Sequence, residues 1–302
     1  MGKNWDEVLK EFESFLKIER SLSNNSVVAY LHDVSLLMQF SHEELEGKTA
    51  ENIDYEDLKR FIVWLNIDQP STQSRVLSGI RAFFRYLVLE NKIDINPSSL
   101  LESPRMGRKL PEVLNDKEVI LIIDSIDRSK PEGQRNRAII ETLYGCGLRV
   151  SELITLRLTD LHFNENYLHI TGKGDKQRLV PVNNTAIKEI RYYFEDRNRL
   201  AKIEDENIVF LNRRGRKLSR EMIYTIVKNQ AEIAGITKKV SPHTFRHSFA
   251  TELIRNGADL RAVQEMLGHE SILTTEIYTH LDRDFLKDTI EMFHPRAGAK
   301  YD

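Results

Sequence analysis

Apolar residues in the first hundred positions recur at helical spacing. Phe12, Phe15 and Leu16, with Ile18 beside them, make one stripe. A second runs from Ser26 to Phe40 through Val27, Tyr30, Leu31, Val34, Leu37 and Met38. Spacings of three and four place such residues on one face of an α-helix. Asp54 is a natural N-cap for a third helix, with Leu58, Phe61, Ile62 and Leu65 on its apolar face and Asp57 three residues after the cap. Ser71 starts a fourth, through Val76, Ile80, Phe83, Phe84, Leu87 and Val88, and Asn96-Pro97 stops it. Four helices of this length predict a small bundle.

The pattern then breaks. PSSLLESPRMGRKLP, residues 97–111, carries three prolines and a glycine and reads as an extended linker. It divides the chain into an N-terminal helical domain, 1–104 with the linker reaching about 111, and a second domain, 112–302. In the second domain Asp116 is the expected cap of a helix through Val119 and Ile122, and Arg135 to Leu143 forms another. Two short β-rich runs, Tyr167 to Thr171 and Gln177 to Val182, are joined by Gly172-Lys173-Gly174-Asp175-Lys176, a hairpin pattern. Helices resume near Thr185, Ser219, Pro242, Asp259 and Ser271, and the tail beyond Asp282 is amphipathic through Phe285, Leu286, Ile290 and Phe293. The fold class is therefore mainly α, with a small β-hairpin in a mixed α/β second domain.

Charge changes this picture in one respect. The total is only -2, but the acidic excess lies before residue 108 and the remainder is slightly basic. Such a balance permits nucleic-acid binding if the cations share a face, and fits an ordinary enzyme equally well. Arg105, Arg108 and Lys109 make the linker basic, and Arg216 and Arg220 precede or open a capped helix, so these five are candidate DNA contacts. The single cysteine, Cys146, rules out an internal disulfide and sits in an apolar run that favours burial. The first turns are charged and no apolar run is long enough to span a bilayer, so a cytoplasmic location with no membrane partner is expected.

Four constellations could carry chemistry. In Gly145-Cys146-Gly147-Leu148-Arg149-Val150-Ser151-Glu152 the glycines suit a tight turn before a helix, which sets Arg149 near its N-terminus. A guanidinium there suits a bound phosphate; a surface ion pair with Glu152 at i+3 is the simpler alternative. Lys173 stands at the hairpin tip, solvated or reaching into a site made by other elements. Ser241-Pro242 is a cap followed by a natural first helical residue, and it fixes His243 and Arg246 three apart on one face. His243 and His247 at i and i+4 could also hold a metal, but no carboxylate is placed to join them. Gly268 ends one helix just before His269, and Ser271 caps the next, on which Tyr278 lies off the stripe made by Leu273, Ile277 and Leu281. Two arginines, two histidines, a lysine and a tyrosine, with no acidic cluster for a metal, suit attack on a phosphodiester.

In this order Arg149, Lys173, the His243-x-x-Arg246 pair, His269 and Tyr278 resemble the tyrosine recombinase (phage integrase) family. TFRHSFATELIRNGADLRAVQEMLGH and TTEIYTHL are similar to its Xer branch, and FLKIERSLSNNSVVAYLHDV resembles the SAM-like core-binding domain. The resemblance covers nearly the whole chain. It implies a metal-free, cofactor-free reaction. Tyr278 attacks the scissile phosphate and forms a 3′-phosphotyrosyl bond. Lys173 protonates the leaving 5′-oxygen, His243 handles the tyrosine proton, Arg149 and Arg246 hold the phosphate oxygens, His269 adds a hydrogen bond and Glu152 buttresses Arg149. It further implies a two-domain clamp on double-stranded DNA at a dif-like site, serving chromosome segregation. The synaptic tetramer would be formed with a second Xer recombinase or with further copies of this chain, with an FtsK-type translocase as a possible activator. The tail from Phe285 onward would dock on a neighbouring protomer or fold back on its own domain.

Rival readings are an integrase of a mobile element, a type IB topoisomerase, a non-catalytic architectural DNA-binding protein, and a zinc hydrolase built on His243 and His247.

Overall fold

A computed structural model of the chain describes residues 4–104, 112–172, 176–268 and 282–296, the side chains of 282–287 excepted. It forms two compact units, Met1–Lys109 and Leu110–Asp302. The basic linker residues Arg105, Arg108 and Lys109 lie outside the described residues.

The first unit is built on α1 (Trp5–Ile18), α2 (Asn24–Glu44), α3 (Tyr55–Trp64) and α4 (Pro70–Leu89). The expected stripes form its core except for Ile18, which ends α1 77% exposed. Phe12 of α1 meets Phe83 of α4 edge-on, ring centroids 5.2 Å apart, and Phe40 of α2 meets Phe61 of α3 at 5.6 Å. Asp54 and Asp57 form the expected reciprocal capping box. The start of α4 differs from expectation: Pro70, not Ser71, is its first residue, because proline already holds the helical φ and has no N–H to leave unpaired.

The second unit surrounds α6 (Gly133–Cys146), which is buried along nearly all its length and packs on α8 (Asn184–Asn198) and α10 (Pro242–Arg255). Beside it lie α5 (Asp116–Asp124), the single-turn α7 (Val150–Ile154), α9 (Arg220–Ile233), α11 (Leu260–Leu267) and α12 (Asp282–Phe293). Asn115, not Asp116, caps α5, and Glu118 completes the box. Gly145 lies inside α6; the chain reverses at Gly147, whose φ of 59° is left-handed. A Cβ at Gly147 would come within 2.6 Å of the Phe249 ring, so both conformation and space call for glycine.

The sheet has three antiparallel strands, β1 (Leu161–His162), β2 (Tyr167–Thr171) and β3 (Gln177–Pro181), in that order. The pair β2–β3 is the expected hairpin, with Ile170 opposite Arg178 and a Gly172 N–H to Lys176 carbonyl bond of 2.8 Å closing its loop end. The two residues of β1 are too few to show an alternating pattern.

Among the described residues, the later part of the tail, 288–296, packs on its own unit. Ile290, His294 and Arg296 are buried. Arg296 pairs with Glu141 through both carboxylate oxygens, Nε to Oε2 at 2.9 Å. The His294 ring lies 5.0 Å from Tyr144 and 5.5 Å from Phe249. Its Nε2–H donates to the Tyr144 carbonyl at 3.3 Å, and its Nδ1 accepts from the Arg296 N–H at 3.2 Å. Both ring nitrogens are thus satisfied in the neutral form.

Candidate active site

The site is organised by one carboxylate. Glu152 is buried at the third position of α7. Its Oε2 accepts the Arg149 backbone N–H at 2.8 Å, which tightens the turn entering α7. Its Oε1 accepts Arg149 Nη1 at 2.9 Å. Arg178, on β3, closes a fork on the same carboxylate, Nη1 to Oε1 at 2.8 Å and Nη2 to Oε2 at 2.9 Å. Arg246, on α10, lies further off, with Nη1 4.0 Å from Oε2. The ion pair weighed at i+3 is therefore real but not a surface one. With α7 only five residues long and the N–H of its N-cap Arg149 taken by Glu152, what gathers cations here is a buried carboxylate rather than a helix dipole.

The same three guanidiniums meet again at the end of α11. Arg178 Nε donates to the Met266 carbonyl at 2.9 Å, Arg246 Nη2 to that of Leu267, and Arg149 Nη2 to that of Gly268 at 2.9 Å. Three consecutive carbonyls, left without helical partners at a C-terminus, are each capped by an arginine from a different element. Gly268 makes this possible with a φ of 62°. Arg246 Nη1 also donates to the Gly147 carbonyl at 2.7 Å, so the reversal after α6 is tied to the same point.

The electrostatics follow. Burial alone raises the Glu152 carboxyl, but the Arg178 hydrogen bonds and charge, then the Arg149 backbone N–H and side chain, outweigh it and hold it below its ordinary value. Arg246 is lowered to about 10, by burial first and then by repulsion from Arg149. It stays charged at neutral pH. Three cations against one anion leave a local excess of two positive charges, and of the three Arg149 is the most open, its side chain 32% exposed.

Around this centre, Ser241 caps α10 by accepting the Thr244 N–H, and His243, exposed in the first turn, stands three residues before Arg246. Gly172, at the loop end of the hairpin, places its Cα edge near Glu152, where a Cβ would lie 3.6 Å from Oε1. Lys173 follows Gly172 in the chain and His269 follows Gly268; Lys173, His269 and Tyr278 lie outside the described residues. The structure thus brings together Arg149, Glu152 and Arg246, with His243 on the same helix as Arg246. Arg178 was not singled out from the sequence, because an arginine on an alternating strand reads as a solvated face.

His247 is also exposed, whereas Cys146 is wholly buried. Burial raises the Cys146 thiol far above its usual range. Among the described residues no three His, Cys, Asp or Glu side chains group to hold a metal ion.

Of the other DNA-contact candidates, Arg216 is exposed but ion-paired with Glu204, and Arg220 opens α9 facing solvent. Between Asn212 and Arg216 a turn at Gly215 exposes Arg213 and Arg214.

Residues 112–284 match the Phage integrase family, and residues 9–91 match its N-terminal SAM-like domain. The chain belongs to the phage integrase family and is a tyrosine recombinase, a site-specific DNA recombinase. Among its relatives, the tyrosine recombinase XerD of Chlorobaculum tepidum is 41% identical over 97% of this chain and 98% of its own length. That of Listeria monocytogenes serovar 1/2a is 39% identical over 97% and 100%. Among solved structures, the XerH recombinase bound to a palindromic difH substrate, a post-cleavage complex, superposes with a TM-score of 0.68 at 27% identity, covering 94% of this chain and 84% of that one. A lambda integrase dimer on a core site, 16% identical with a TM-score of 0.68, shares the fold.

Proposed function

We propose that the chain cleaves and rejoins double-stranded DNA at a dif-like site through a 3′-phosphotyrosyl bond on Tyr278. The observation that carries this is the gathering of Arg149, Arg178 and Arg246 at the buried Glu152, a preorganised excess of positive charge at the junctions leading to Lys173 and His269. Arg149 and Arg246 take the non-bridging oxygens of the scissile phosphate, and His269 adds a donor. His243 accepts the Tyr278 proton as its oxygen attacks phosphorus. Lys173 gives a proton to the departing 5′-oxygen. The phosphotyrosyl ester retains the energy of the broken bond, so the freed 5′-hydroxyl of a partner strand reverses the step without ATP.

The domain boundary follows the linker: residues 1–104 grip DNA, the basic segment to about 111 crosses its backbone, and 112–302 carries the chemistry. Arg105, Arg108, Lys109, Arg220 and the turn bearing Arg213, Arg214 and Arg216 supply phosphate contacts, which make affinity fall steeply with salt. The relatives' names and the difH complexes support recombination at a dif-like site. On that reading the chain serves chromosome segregation in the cytoplasm, in a synaptic tetramer completed by a second Xer recombinase or by the same chain, with an FtsK-type translocase as activator. No helix among the described residues is long and apolar enough to cross a membrane.

The test is a nicked suicide duplex carrying the dif-like site of the source chromosome. A detergent-resistant protein–DNA band is expected, absent with Tyr278→Phe and unchanged by a chelator. A band that persists in Tyr278→Phe, or that the chelator abolishes, overturns the mechanism. Adding the second recombinase, then the translocase, shows which partner synapsis requires.

A further inference from the structure

Arg178 stands outside the six-residue set, yet its guanidinium is the most fully engaged at Glu152. Its fork is closed on the carboxylate and its Nε on the Met266 carbonyl, three bonds of 2.8–2.9 Å. Its side chain is 14% exposed, against 32% for Arg149, whose guanidinium gives Glu152 a single bond. Arg178 is bonded through Nε, Nη1 and Nη2 alike and offers no free fork to a phosphate, whereas the bonds of Arg149 and of Arg246 run through Nη1 and Nη2. What it does is join three elements: strand β3, the carboxylate that orients Arg149, and the C-terminus of α11. The carbonyls of residues 266, 267 and 268 are consecutive at one helix end, and each is held by one guanidinium of the same cluster. Freeing the Met266 carbonyl disturbs the acceptors of Arg246 and Arg149. Freeing Glu152 from the fork lets it rotate, and Arg149 rotates with it.

We propose that Arg178 is a positioning residue for strand cleavage, locking Glu152 and the end of α11 so that Arg149 and Arg246 meet the scissile phosphate together. The inference rests on the phosphate-holding roles proposed above for those two arginines. A merely structural arginine would slow every substrate alike. One acting through the phosphate-binding arginines would matter less when the phosphate carries no charge.

The experiment compares single-turnover cleavage of suicide duplexes with a phosphate or a methylphosphonate at the scissile position. It is read as release of the 5′-hydroxyl strand. Replacing one non-bridging oxygen by methyl removes the negative charge that the arginines neutralise. Arg178→Met is expected to slow the phosphate substrate by about 10²-fold, the scale of an ångström of misplacement, and the methylphosphonate at least about tenfold less. Arg178→Lys keeps the charge but not the fork, and is expected to be as slow as Arg178→Met. Equal slowing on both substrates, or a wild-type rate for Arg178→Lys, overturns the proposal. Arg149→Ala is run beside them. If it is slow on phosphate and relieved on methylphosphonate while the Arg178 variants are not relieved, the positioning role alone fails. If Arg149→Ala cleaves phosphate at the wild-type rate, the parent reading fails and this one with it.

Discussion

Arg149 and Gly268 are 119 positions apart, and Arg149 Nη2 donates to the Gly268 carbonyl at 2.9 Å. The bond ties the turn after α6 to the end of α11, one residue before His269. A hydrogen bond from a charged donor contributes about 1.5–3 kcal/mol. Here it also sets the spacing between a cation and the segment that follows.

Arg149→Ala and Arg246→Ala are each expected to slow cleavage by about 10²–10³-fold or more, the cost of removing one preorganised donor from developing phosphate charge. Their stabilities should separate them. Arg246 is buried and satisfies the carbonyls of Gly147 and Leu267. Its loss is expected to lower stability by about 1–3 kcal/mol for each acceptor left unpaired, and that of the more open Arg149 by less. Single-turnover rates and denaturant melts check both; equal melts for the two variants would refute the burial argument.

Glu152→Gln removes the one anion among three guanidiniums while nearly conserving shape. A loss of about 3 kcal/mol is expected for the second unit, the scale of breaking a buried ion pair. Cleavage should slow as well, because Arg149 loses the acceptor that orients it. A variant of wild-type stability would mean that the arginine charges are screened by solvent.

Gly147→Ala forces a side chain into left-handed backbone and into the Phe249 ring. The backbone strain alone costs about 1–2 kcal/mol, and the 2.6 Å contact adds to it unless Phe249 moves. Phe249 supports His294, so a shift there should also loosen the tail. Thermal melting and hydrogen exchange at residues 289–296 are the measurements.

His294 is lowered to about 4, by burial first, its Tyr144 bond opposing and Arg296 adding repulsion. Its unfolded value is the ordinary one near 6.5. Between these values the unfolded chain binds the extra proton. This contribution to stability is therefore complete above about pH 6.5 and lost as pH falls towards 4. The nearby Glu141 is raised by burial against the pull of Arg296, so its contribution runs the other way over the acid range. The second unit should lose stability from pH 7 to pH 5, and His294→Gln should flatten that slope. An unchanged slope in the variant would place the acid sensitivity elsewhere.

Much of this protein is legible in sequence because much of it is decided locally. The stripes of α1 to α4, the Asp54–Asp57 box, the Ser241 cap, the Asp259–Gly268 helix and the β2–β3 hairpin are all patterns of neighbouring positions along one element or one turn. Short-range spacing therefore encodes them. Where structure and pattern differ locally, the cause is local too: Pro70 rather than Ser71 starts α4, Asn115 rather than Asp116 caps α5, and Gly145 is helical because Gly147 makes the turn. The resemblance to the recombinases rests on residue order, which a sequence displays in full. What only the tertiary structure decided is who holds whom. Arg178 reaches Glu152 across 26 positions and Met266 across 88, and Arg296 reaches Glu141 across 155. Such pairs leave no period in the chain. They form only when collapse of the apolar core brings distant segments together and each buried charge must find a partner.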